Sequence, residues 1–320
     1  MAYNMKLTTI FISLFLTVQV IAQPIEKIKQ HLKNKNFSAL NNYINNTPKS
    51  NVNFSWELQR TIVGDYTEGI IKIEEKLPSN NGTGGNFINN YSVYILTTKD
   101  KIFYYRFTKS IYKYKDPEHS EHNEETIDSL RDDIEYSSFE NAFRQVYNNN
   151  IDHNDLFLTS IVYGSHCGIA GINPEYMEQL NLLVEEENID GVRRWLKSAN
   201  AEKQLYALNG YRILVNQGYN LTDEEKRIIL IVEQKKGAVS TCGGCLYMNK
   251  TFQDVVSEIN SIPTEYLKPN KSGSSYRFLK KEKNRDKNNL PYWWLIALSI
   301  LTLAAGCYFI WRTNKGNKKV

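Results

Sequence analysis

The chain has 320 residues, 41 % of them hydrophobic, with 39 Lys plus Arg against 35 Asp plus Glu. A formal charge of +4 over that length gives no basic face and argues against nucleic acid as a partner. The excess sits near the ends: residues 1–22, 271–289 and 312–320 hold 12 of the bases and 2 of the acids, so residues 23–270 are mildly acidic.

Lys6 precedes an uncharged run from Leu7 to Ala22 that closes on Val20-Ile21-Ala22. A basic start, a short apolar run and a small residue at its end predict a signal peptide over 1–22. An uncleaved N-terminal anchor is the alternative, and both translocate the chain that follows. The next segment, 23–115, reads as a small α+β domain. Ile25, Ile28 and Leu32, then Leu40, Tyr43 and Ile44, have helical spacing. Glu68–Leu77, Tyr91–Thr98 and Lys101–Phe107 are rich in β-branched and aromatic residues and predict a three-stranded antiparallel meander, with a turn at Lys99-Asp100. Residues 116–135, acidic and containing Pro117, read as an exposed connection.

Residues 136–262 predict a helical domain. Phe139, Phe143 and Val146 share one helix face. Asn173-Pro174 opens a second helix with Met177, Leu180, Leu183 and Val184 inward, and Ile189, Val192, Trp195 and Leu196 give a third. Asn200 caps a fourth, and Thr222-Asp-Glu-Glu225 is a capping box opening a fifth. A last short helix is expected from Phe252 to Ile259. Residues 263–289 then form a basic stalk, solvated or resting on anionic headgroups.

From Pro291 to Trp311 no residue is charged. About 20 such residues in a helix reach roughly 30 Å, the thickness of a bilayer's hydrocarbon core. Trp293 and Trp294 mark one end and Trp311 the other, as aromatic rings favour the headgroup levels. Residues 290–311 are therefore expected to span a membrane. The tail 312–320, starting with Arg312, stays cytoplasmic by the positive-inside rule, which leaves residues 23 to about 289 outside the cytosol. The expected fold class is α+β: a small helix-plus-antiparallel-meander part, an all-helical part, then one C-terminal transmembrane helix.

Three cysteines, Cys167, Cys242 and Cys245, lie in the translocated region, where disulfides are permitted. Cys242-Gly-Gly-Cys245 is the sharpest local motif, and it has three readings. As a dithiol it would shuttle electrons from a helix N-terminus, making a membrane-tethered thiol–disulfide oxidoreductase. As half a zinc site it would recruit His166 and Cys167 to stabilise a scaffold. As structure, a disulfide would join Cys167 to Cys242 or to Cys245 and leave one cysteine over; this reading is favoured. Leu246 after the second cysteine excludes c-type haem attachment. His119 and His122 stand among glutamates in a segment read as a solvated loop, and a Cys167 nucleophile with adjacent His166 lacks its third partner. HExxH, P-loop, GxSxG and GxGxxG patterns are absent. No catalytic residue and no cofactor is assigned. The composition and the Ala-Gln signal end read as bacterial, which places the domain in a periplasm or outside a single membrane. The expectation is an anchored extracytoplasmic module that binds a protein partner or serves an envelope complex.

Overall fold

A computed structural model describes residues 23–48, 51–77, 87–116, 119–168 and 171–263. Two amphipathic helices open it, α1 (Gln23–Lys33) and α2 (Phe37–Asn46), and both lie at the helical segments expected from sequence. Five strands follow: β1 (Val52–Val63), β2 (Tyr66–Leu77), β3 (Phe87–Thr98), β4 (Lys101–Asp116) and β5 (His119–Arg131). Each pairs antiparallel with the next in the order β1-β2-β3-β4-β5. The expected meander is therefore β2 to β4, widened by a strand on each side.

Ile28 and Leu32 of α1 and Leu40 and Ile44 of α2 are buried against Phe54, Ile71, Val93 and Tyr105 of the sheet. The β3–β4 turn fixes the seam. Asp100 accepts the Phe37 N–H on its carbonyl (2.9 Å) and the Ser38 N–H on its carboxylate (2.6 Å). Two of the four orphan donors at the start of α2 are thus satisfied by the sheet.

The rest of the described chain is mainly helical: α3 (Asp133–Tyr147), α4 (Glu175–Glu185), α5 (Ile189–Leu196), α6 (Ala201–Asn216), α7 (Asp223–Glu233) and α8 (Phe252–Ser261). The caps read from sequence hold at Asn200, whose side chain accepts the Lys203 N–H, and at the Thr222–Glu225 box. At α4 the cap moves by one residue to Pro174, while Asn173 donates its amide to Glu178 (2.6 Å). Helix α6 is buried on nearly every side, as a central helix must be when others pack around it. A second core gathers Phe139, Phe143, Leu205, Tyr206, Ile228 and Val255 with Ile62, Leu96 and Phe103 of the sheet. The sheet and the helices therefore share buried side chains.

Residues 52–63 add strand β1 to the expected meander. Two expectations are corrected. The acidic stretch within 116–135 is not a loop but edge strand β5, and Lys109 of β4 lies opposite its Glu125. Opposite charges in register favour such a pair, so acidic composition does not prevent pairing with a basic strand. The part after 136 is not all helical, because β6 (Ala238–Gly243) and β7 (Leu246–Thr251) form an antiparallel hairpin between α7 and α8. Among the described residues no helix is long and apolar enough to cross a membrane. The signal segment 1–22, the stalk from 264 onward, the span 290–311 with Trp293, Trp294 and Trp311, and the tail from Arg312 lie outside the described residues.

Candidate functional site

Buried charge is the usual flag of chemistry, and this chain has a pronounced cluster of it. Arg60 of β1 donates from Nε to Glu68 Oε1 of β2 (2.6 Å) and from Nη1 to Glu202 Oε2 of α6; all three side chains are sealed from solvent. The second oxygens are also used: Phe157 N–H donates to Glu68 Oε2 (2.6 Å) and Ser240 N–H to Glu202 Oε1 (3.0 Å). Lys235, just past α7, donates to Gln204 Oε1 (2.6 Å), and Gln204 passes its own N–H to Leu196 O (3.1 Å). Burial pushes Lys235 down to about 7; the nearby Arg60 charge adds to this, and Glu68 and Glu202 offset part of it. For Arg60, burial acts downward but attraction to Glu202 and Glu68 outweighs it, so the guanidinium is held more firmly charged than usual. A group of this kind, with both carboxylates fully hydrogen-bonded, has no free oxygen for proton transfer. It is a polar joint between sheet and helices. Among the described residues Arg60 Nη2 has no hydrogen-bond partner.

A second group is also structural. Glu225 accepts hydrogen bonds from Tyr211 (2.8 Å), Arg193 (2.9 Å) and the Thr222 N–H (2.8 Å). Burial alone would raise its carboxyl, but these donors hold it down at about 2.

The unusual surface lies at the hairpin. Its base is fixed on the sheet, where Thr61 N–H donates to Lys236 O (2.9 Å) and Arg60 bridges Gly237. From there β6 and β7 run out in a register that closes on Gly243 opposite Leu246. Gly244 and Cys245 make the two-residue turn. Gly244 has φ +56°, the positive value that a type II′ hairpin turn requires at its first central position. The free side of β6 is taken by the loop 160–168, which runs parallel to it. Tyr163 N–H donates to Ser240 O (2.8 Å), Cys242 N–H to Tyr163 O (3.0 Å), and Gly244 N–H to His166 O (2.8 Å). Tyr206 of α6 holds that loop from beneath, donating to Val162 O (2.7 Å) and accepting the Gly164 N–H (3.1 Å). Burial pushes the Tyr206 hydroxyl well above its ordinary range, so it stays a donor.

Cys167 and Cys242 are joined in a disulfide, with Cα atoms 5.5 Å apart and 75 residues between them in sequence. This settles the connectivity left open by the sequence. The loop needs glycine where it passes the bond: a Cβ on Gly164 would lie 2.6 Å from Cys242 Sγ and 2.5 Å from its carbonyl oxygen. Cys245 is free and exposed. The CxxC pair is therefore split, one sulfur bonded to the loop and the other at a hairpin turn. Neither sits at a helix N-terminus, where a thioredoxin-type thiol is activated. Nor do the four expected zinc ligands converge, since Cys167 and Cys242 hold each other and His166 is exposed, with Nδ1 at 3.1 Å from Ser165 Oγ. Among the described residues no three His, Cys, Asp or Glu side chains gather as a metal requires.

The outer end of this braced hairpin is apolar and open to solvent. Leu246 is 64 % exposed, Tyr247 67 % and Met248 41 %, and Ile172 on the adjoining loop is 68 % exposed. Tyr247 and Ile172 border one hollow of about 590 Å³ with Asn173 and Tyr176. Met248 borders another of about 280 Å³ with Tyr163 and Lys250. Cys242 lines both. Among the described residues β7 pairs with β6 alone, so its outer edge carries unpaired backbone groups. The disulfide residues were legible in the sequence; Ile172, Leu246, Tyr247 and Met248 were not. Their one signal was an apolar triplet directly after Gly-Gly-Cys.

No family model, no curated protein and no solved structure matches the chain.

Proposed function

We propose that the protein is a membrane-anchored extracytoplasmic binding module, and that its binding surface is the cystine-braced hairpin tip. The anchor rests on the uncharged, aromatic-flanked run at 290–311 and on the signal pattern at 1–22. The surface rests on one observation above the others: Leu246, Tyr247 and Met248 stand in solvent at the end of a hairpin that a disulfide and several backbone hydrogen bonds hold rigid. Apolar side chains in water are unfavourable, and edge strands normally carry charge, proline or a cover to prevent pairing. On β7 only Lys250 serves that purpose, and it is turned to Glu258 (2.6 Å).

The occupant such an edge fits is an extended segment of a partner protein. Its main chain pairs with β7 and its alternate side chains enter the hollows beside Tyr247 and Met248. Affinity purification of the full chain from a detergent extract tests this. The native protein should enrich a defined partner, and Leu246→Asp with Tyr247→Asp should lose it while keeping the fold. Recovery of the protein alone from both samples would count against the reading.

A further inference from the structure

Helix α6 carries a polar side chain that the fold does not use. Asn209 lies one turn beyond Tyr206 on the same face and is only 8 % exposed. Among the described residues its carboxamide has no hydrogen-bond partner. A buried amide left unpaired is costly, so its place calls for a partner from outside.

Asn209 lines the hollow of about 280 Å³ beside Met248. Tyr163 lines it too, and among the described residues its hydroxyl also has no hydrogen-bond partner. Burial pushes that hydroxyl well above its ordinary range, with Tyr206 and Glu258 adding to the effect, so it stays a neutral donor. Met177, Met248, Ile259 and Ile262 supply an apolar wall. The other polar side chains on the border are engaged: Lys250 with Glu258 (2.6 Å), Thr241 with Met248 O (2.9 Å) and Ser165 with His166 Nδ1 (3.1 Å). At this volume the hollow falls below the usual range of small-molecule pockets, ~300–1,000 Å³, and suits a single side chain.

A carboxamide answers both free groups. It exchanges two hydrogen bonds with Asn209, one in each direction, and its carbonyl accepts a third from Tyr163. A carboxylate has no donor for the Asn209 oxygen and stands near Glu258. An ammonium has no acceptor for the Asn209 N–H groups, and an aliphatic side chain leaves both residues unpaired. We propose that this hollow is a recognition pocket for a glutamine or asparagine side chain on the partner's extended segment, read by Asn209 and Tyr163. This rests on the hairpin reading above: Met248 and Lys250 share one face of β7 and border the hollow, where a segment added to that edge sets alternate side chains.

Fluorescein-labelled pentapeptides, with valine and threonine around a central glutamine, glutamate, lysine or leucine, provide the test by anisotropy with the full chain in detergent. The glutamine peptide should bind about tenfold more tightly than the others, and Asn209→Leu should bring all four within about twofold. Asn209→Leu should keep or raise the denaturant midpoint, because it removes no hydrogen bond. A lowered midpoint would mean that Asn209 serves the fold and would overturn the proposal. Isovaleramide and isovalerate, compared by saturation-transfer NMR, probe the pocket without a strand. The amide should bind about tenfold more tightly, a difference that Asn209→Leu abolishes. That preference in the absence of any peptide binding would sink the hairpin reading and leave the hollow as a carboxamide site. Peptides bound without a preference for glutamine, or amide and acid bound alike, would overturn the pocket itself.

Discussion

The polar joint at Arg60 and the hairpin tip at Tyr247 invert the ordinary distribution of residues in opposite ways. The joint puts two carboxylates and two cationic side chains where water is excluded. The tip puts four large apolar side chains where water is abundant. Both depart from what burial alone favours, but only the joint is compensated from within the molecule: each of its carboxylate oxygens has a donor. Among the described residues the tip has no such compensation. The joint thus belongs to the fold, and the tip points to something outside it.

This contrast can be broken by substitution. Arg60→Met leaves Glu68 and Glu202 buried without their cation, and its cost is expected to be the largest, about 3–5 kcal/mol in denaturant midpoints. A cost below 1 kcal/mol would mean the joint is not a structural element. Cys167→Ser with Cys242→Ser opens a 75-residue closure and should cost about 2–4 kcal/mol. Cys245→Ser, at an exposed turn, should leave unfolding unchanged.

Titration sharpens the same comparison. Lys235 is held near 7 in the folded chain against 10.5 when free, so unfolding takes up a proton between those values. Stability should therefore rise with pH from about 7 to 10.5, by at most about 1.4 kcal/mol per pH unit, and Lys235→Met should flatten that rise. Glu225 acts at the other end of the scale. Its carboxyl is held at about 2, so its contribution is present above 4.5 and is lost as pH falls toward 2. The tip is expected to matter little to stability: Leu246→Ala and Tyr247→Ala should each shift it by about 0.5 kcal/mol or less, since little is buried there.

The parts of the fold that were legible in the sequence are those where local chemistry repeats. Thr222 and Glu225 announce α7, and Asn200 announces α6, because caps are written in adjacent residues. Strand β1 carried its own signal, Val52, Phe54, Trp56, Leu58 and Ile62 at every second position, interrupted by Arg60 in the inward phase. A charged residue in that phase marks a buried joint, but its partners Glu68 and Glu202 are 8 and 142 residues away, and no local pattern links them. Strand β5 was hidden because its polar residues alternate with nothing. Only the basic character of β4 beside it gives a reason to pair. The site was half legible. Three cysteines pointed to the hairpin, yet Cys242-Gly-Gly-Cys245 was read as a dithiol at a helix start, half a zinc site or a disulfide partner, and none of these announces a strand end with a II′ turn.

The central claim is that the braced tip serves an outside partner and not the fold. Site-specific photocrosslinking in the native cell tests it most directly, with a photoreactive side chain placed at Tyr247 of the full chain and, as control, at exposed Lys226. The account predicts one reproducible crosslinked protein from position 247 and none from 226, with the product lost when Leu246→Asp is added. Equal products from both positions, or none from 247, would contradict it.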